Sequence, residues 1–207
     1  MLNTFLLILA GMAAGSALFF PAQFLCAALL RQRGLDPAME RKQQWVLLGC
    51  MAAAGGLIAW RTGVSLRTLY LMLVLVVAAS VSYIDAKYRV IPNELVLAVI
   101  ALSAVFGLTG VISFRIGSSL LGFAVCFAVF MIPCIWKHKI GAGDVKLAAA
   151  MGFALGFSGS LYAIVCMGGF VLLYLLVGQR LPMAERLKTM IPMGPFLAAA
   201  LVIVSTI

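Results

Sequence analysis

Uncharged apolar runs dominate this chain, and they leave room for one class of fold. No Asp, Glu, Lys or Arg interrupts residues 2–29, 44–60, 68–84, 116–136 or 161–178. A helix needs about 20 apolar residues to span a bilayer. Only 10% of the 207 residues are charged and 65% are hydrophobic, whereas soluble domains carry roughly 25% charge. The pattern predicts an all-α, polytopic membrane protein with about eight transmembrane or membrane-embedded helices. The expected segments are 2–29, 44–60, 68–84, 91–112, 116–136, 144–157, 161–178 and 190–207, in a single membrane-embedded domain over 1–207. The lipid bilayer is then the main partner of its surface. The first run has no basic region before it and is too long for a secretory signal, so it reads as a retained span. Segment 144–157 is short for a full crossing, and Gly156 to Ser160 reads as a turn.

The net charge is +9, and its distribution carries the orientation. Loops 31–42, 87–89, 137–146 and 180–188 hold four, two, three and three of the 15 Lys and Arg residues. Loops 61–67, 115 and 156–160 hold two, one and none. By the positive-inside rule the first set faces the cytoplasm. No basic stripe is interleaved with aromatics, so no nucleic-acid partner is expected. The five cysteines lie in apolar runs without a Cys-x-x-Cys pair. They read as small hydrophobes, not as a zinc site or a disulfide framework. His138 is the sole histidine and reads as a solvated loop residue, so no metal and no cofactor are expected.

The acids are few: Asp36, Glu40, Asp85, Glu94, Asp144 and Glu185. Asp36, Glu40 and Glu185 read as solvated loop acids, and Glu94 as a first-turn acid favoured by the helix dipole. Asp85 and Asp144 stand at the ends of apolar runs on the same predicted side. Acids in or beside a membrane are costly and usually functional. Two carboxylates held close tend to share a proton. One can take a proton from water while the other gives one to a carbonyl oxygen, which hydrolyses a peptide bond without a covalent intermediate. Asp85 falls at the C-terminal end of its helix and Asp144 at the N-terminal end of its own. The dipoles then make Asp144 the readier anion and Asp85 the readier proton carrier.

Several neighbours could shape such a site. Gly141 and Gly143 allow close backbone approach, so an extended substrate could pair with their loop. Lys146 steadies Asp144 or marks the membrane margin. Pro92 suits the first turn of a helix, while Pro192 and Pro195, flanking Gly194, read as a kink in the last span. A different reading of the two acids is a proton relay in a small transporter.

Three motifs occur in order: Asp85 with Ile91-Pro92-Asn93, Gly141-Ala142-Gly143-Asp144-Val145-Lys146, and Pro192-Met193-Gly194-Pro195-Phe196. Together they resemble the bacterial type IV prepilin peptidases, polytopic aspartic proteases of the Gly-x-Gly-Asp class. The Ile-Pro and Pro-Met-Gly-Pro-Phe segments fit that family better than the presenilin-like proteases that share Gly-x-Gly-Asp. The resemblance implies Asp85 and Asp144 as the catalytic pair. It implies cleavage of the basic leader of prepilins or pseudopilins at the cytoplasmic face of the bacterial inner membrane. The substrate would present its leader and first helix, and the products would feed a pilus, a secretion apparatus or a DNA-uptake machine. Bifunctional members also methylate the new terminus and carry a domain with Cys-x-x-Cys pairs after the first span. Here residues 31–43 contain no cysteine, so the resemblance implies peptidase activity without methyl transfer and without zinc.

Overall fold

The computed structural model describes residues 2–137, 141–177 and 192–207. His138 and Lys139, and the loop 180–188 with Glu185, lie outside the described residues. Those described are all-helical. The elements are α1 (Leu2–Ala17), α2 (Phe19–Gln32), α3 (Arg41–Thr62), α4 (Leu66–Tyr88), α5 (Asn93–Leu108), α6 (Ile116–Lys137), α7 (Ala142–Val177) and α8 (Gly194–Thr206). Five stretches are long and apolar enough to cross a membrane: Asn3–Gln32, Arg41–Thr62, Leu66–Tyr88, Ile116–Ile135 and Ala142–Val177. Asn93–Leu108 and Gly194–Thr206 are shorter apolar helices.

Helix α4 is the hub. Its residues Leu71, Val74, Val81 and Ile84 are each 1% exposed. The surrounding helices cover it on nearly every side, so its surface is apolar all round. By contrast Phe20 and Phe24 of α2 and Leu120 and Leu121 of α6 are exposed, as suits faces turned toward lipid. Helices α1 and α2 form one path interrupted at Leu18, with Leu18 N–H bonded to Ala14 O and Ala22 N–H to Leu18 O. Pro21 accounts for the interruption, since it has no N–H for the carbonyl four residues earlier.

The expected turn at 156–160 is a one-residue break. Gly156 has φ 69° and ψ −177° inside α7, a region essentially restricted to glycine. The freed Phe157 N–H donates to Ser118 Oγ at 3.0 Å. This break reverses the chain. Gly143 lies against Ile91, next to the start of α5, whereas Gly159 lies beside Val204 near the end of α8. Tyr174 then meets Phe196 at the start of α8, ring centroids 5.6 Å apart. The first half of α7 therefore runs away from Asp144 along α6, and the second half returns. It crosses α6 where Gly122 and Gly152 bring the two backbones together, the close approach that small residues permit. Segment 144–157 thus runs the length of the bundle, from beside Ile91 to Ser118 near the start of α6.

Helices α2, α3 and α4 run two to four residues past their expected ends, to Gln32, Thr62 and Tyr88, and two further ends fall short of expectation. Helix α5 stops at Leu108 instead of 112, because Gly110 adopts φ 74°. There Val111 N–H bonds Phe106 O, and Gly110 N–H bonds Gly107 O, the paired closure of a Schellman stop. The last helix starts at Gly194, with Met193 as N-cap and Pro195 in its first turn. The prolines start this helix and do not kink it.

Gly156→Ala should lower stability by about 1–3 kcal/mol, the usual cost of a side chain in a glycine-only region. The added Cβ would also meet Ser118 Oγ at 2.8 Å. Thermal unfolding in detergent micelles checks this, and an unchanged midpoint would disprove the strained reversal.

Candidate active site

The three motifs converge at one end of the bundle. Asp85 lies in the last turn of α4 and is 4% exposed. The chain passes through Arg89 and the buried Ile91 and Pro92 into α5, with Pro92 as N-cap. Pro92 thus sits just before the first turn, not inside it. Asp144 lies in the first turn of α7, as its sequence position predicts. Gly194 opens α8 directly against Asp85.

Each aspartate accepts a backbone N–H from the start of a helix. Gly194 N–H donates to Asp85 Oδ2 at 2.8 Å. Gly141 N–H donates to Asp144 Oδ2 at 3.2 Å, while Asp144 N–H donates back to Gly141 O at 3.0 Å. The first N–H groups of a helix have no intrahelical acceptor, and they favour an anion. The expected asymmetry between the aspartates therefore loses its basis. Asp85 does end its own helix, but it also faces the N-terminus of α8. Both carboxylates meet a helix start, and the two lie within electrostatic reach of each other. Asp144 Oδ1 is buried and has no hydrogen-bond partner among the described residues.

The loop role expected for Gly141 and Gly143 does not fit. Gly143 is already helical, inside the first turn of α7, and the N–H of Gly141 is engaged by Asp144. The small size of Gly143 serves packing, since a Cβ there would come within 3.1 Å of Ile91 Cβ. Gly194 is under a tighter limit, since its Cβ would lie 2.7 Å from Asp85 Oδ2. Lys146 is exposed and reaches Asn93 Oδ1 at 3.2 Å, tying the start of α7 to the start of α5. Pro195 occupies the second position of α8, where no N–H is needed. Pro192 lies just outside that helix, half-buried.

Other residues at this end escape a reading by motif. Residues 36–40 lie across the end of α4. Lys87 Nζ donates to Ala38 O at 2.6 Å, Tyr83 Oη to the same oxygen at 3.3 Å, and Tyr88 Oη to Asp36 O. Asp36 is an exposed loop acid as expected, and its Oδ1 also accepts the Ala38 N–H. Glu40 forms a capping box with Gln43 at the start of α3. Glu94 is in the first turn of α5 as expected, and it also pairs with Arg33 at 2.7 Å. Arg89 caps α4 in the left-handed region, φ 56° and ψ 37°, the sole non-glycine positive φ among the described residues. The capping-box spacing Glu40…Gln43 was visible in sequence. The strap and the Arg89 conformation had no local signal.

Comparison with known proteins adds an independent line. The profile of the type IV leader peptidase family matches residues 69–178. A prepilin leader peptidase/N-methyltransferase from Neisseria gonorrhoeae is 32% identical over 109 residues. That alignment covers 50% of this chain and 38% of the relative, so the chain spans well under half of that protein. No solved structure matches.

Arg89→Gly should raise the unfolding midpoint by the equivalent of about 1 kcal/mol, because a left-handed non-glycine residue costs about 1–2 kcal/mol. A lowered midpoint would show that the arginine side chain contributes more than its backbone strain costs.

Proposed function

The chain belongs to the type IV leader peptidase family, and from that premise we propose that it is a membrane aspartic endopeptidase. It cuts the basic leader from type IV prepilins or pseudopilins at the cytoplasmic face of the bacterial inner membrane. Asp85 and Asp144 activate the attacking water. The observation that carries this reading is the meeting of the two aspartates at one end of the bundle, each holding a helix-start N–H. The same end receives residues 31–42 and 87–89, two of the loops that the positive-inside count assigns to the cytoplasm.

The chemistry follows from the free groups. Asp144 Oδ1 has no partner among the described residues, and one carboxylate of the pair takes a proton from water as the water oxygen attacks the scissile carbonyl carbon. The other carries the proton that passes to the carbonyl oxygen. When the tetrahedral species collapses, the C–N bond breaks and the leaving nitrogen takes a proton from the pair. The two groups act as a unit, so their titration belongs to the pair. The Gly194 amide holds Asp85 in place through this cycle. Gly141, Gly143, Lys146, Pro92, Pro192 and Pro195 position the helix starts and need not touch substrate.

The transporter reading gains no support from this geometry. A transport site is expected near the midplane among discontinuous helices. Here the carboxylates lie at one end, and the Gly156 break in α7 lies at the other. Methyl transfer is not part of the proposal.

Asp85→Asn and Asp144→Asn should each slow cleavage of a prepilin by at least a hundredfold, within the usual range for a lost acid–base group. Folding should be unchanged. The assay is product formation by detergent-solubilised protein, and full activity in either variant would remove the two-aspartate mechanism. Gly194→Ala should also lose at least tenfold in kcat, because the new Cβ displaces the Asp85 carboxylate. Wild-type kcat in that variant would show that the Gly194 contact is dispensable.

A further inference from the structure

A lateral groove of about 740 Å³ lies between α3, α4 and α8, and one end of it is lined by Ala86, Lys87 and Pro195, level with Asp85 along the bundle. Its walls are regular. Helix α3 contributes Leu47, Cys50, Ala54 and Leu57; α4 contributes Leu75, Ala79, Ser82 and Ala86; α8 contributes Pro195, Ala199 and Val202. With their neighbours in the lining these residues recur every three to four positions, so each helix turns one face toward the groove. Three such faces around one trough have the shape that receives a further helix. Many of the wall residues are Ala or Ser, which let a helix backbone come close. Lipid chains would not need the small side chains.

The groove also has a direction. From Gln43 to Leu57 it runs about 21 Å along α3 at 1.5 Å per residue. At one end Ala86 follows Asp85 and Pro195 follows Gly194, so that end is level with the Gly194–Asp85 contact along both helices. That end carries Lys42 and Lys87. Neither lysine forms an ion pair among the described residues. No acid among the described residues lines the groove. Two cations at the mouth repel a basic peptide, so a basic leader is kept out of the groove and left outside it, on the aspartate side.

We infer that this groove holds the apolar first helix of the substrate, entering sideways from the lipid, with the scissile bond at the Lys42–Lys87 end. The inference rests on the peptidase reading and adds where the substrate docks and which way round. In a bilayer the occupant must satisfy its own backbone hydrogen bonds, which requires it to be helical along the groove. Next to Asp85 the groove ends, and there the chain is free to unwind into the site.

Native Cys50 lines the groove and is exposed, which supplies the test. In full-length Asp144→Asn protein with the other four cysteines replaced, single cysteines are scanned along the first helix of an uncut prepilin, in lipid nanodiscs with a mild oxidant. Disulfides to Cys50 are expected at substrate positions recurring every three to four residues. A control cysteine at position 121, on the exposed face of α6, should give none. Separately, Ala54→Trp and Ala199→Trp, in otherwise native protein, should raise KM at least tenfold for whole prepilin. They should leave cutting of a short peptide, spanning only the leader and a few residues beyond the bond, unchanged. Cross-linking to Cys50 no stronger than to position 121 would overturn the groove assignment. So would a bound phospholipid lost from the Trp variants with prepilin KM unchanged. If unmodified protein cuts neither substrate, the peptidase reading itself fails and the docking inference falls with it. If it cuts both without Cys50 cross-links, only the docking inference fails.

Discussion

The hydrogen bond from the Gly194 amide to Asp85 Oδ2, 2.8 Å long, is the contact on which this arrangement turns. A carboxylate in an apolar bundle is costly unless hydrogen-bonded donors surround it. Inside a membrane almost every backbone N–H is already used within its own helix. Helix starts are the exception, since their first N–H groups have no internal acceptor. Bringing the start of α8 to the end of α4 satisfies both needs in one contact. It also explains why residue 194 has no side chain, because the amide cannot reach Asp85 past a Cβ.

The same economy recurs at Asp144, whose carboxylate accepts the Gly141 N–H at the start of its own helix. The two aspartates therefore have like surroundings by different routes, one across the fold and one local. The rest of this end fixes the three helix starts relative to one another. Lys146 ties α7 to α5 through Asn93, Gly143 lets α7 begin against Ile91, and residues 36–40 strap the end of α4. The reversal at Gly156 returns the chain along α8, with Tyr174 packing on Phe196. A site at one end of the bundle is thus braced by packing over its whole length.

Much of this was legible from residues alone, where the cause is local. Asp85 and Asp144 stood out because acids are rare in so apolar a chain, and their positions at helix ends were read correctly. Gly156 was read as a turn and is the point of reversal. The limits were equally physical. The dipole argument for unequal aspartates considered only each residue's own helix and missed the start of α8. The Gly141–Gly143 loop role assumed an extended backbone, whereas helix α7 begins one residue after Gly141. Asp36 and Glu40 are exposed loop acids as read, but that both also accept backbone N–H groups is something composition does not reveal.

Taken by itself, the sequence determined an all-helical membrane protein, the approximate spans, the charged end and the two candidate carboxylates. Each follows from hydropathy, charge or helix-end chemistry, and these act over a few neighbouring residues. Only the tertiary structure decided that Gly194 completes the surroundings of Asp85, that Arg89 takes a left-handed cap, and that α3, α4 and α8 leave a groove beside the site. Those facts depend on which helix lies next to which. Apolar helices carry little information about their neighbours, because lipid and protein are nearly equivalent surroundings for an apolar side chain. Small residues and hydrogen bonds at helix ends make that choice, and their partners lie far away in the chain.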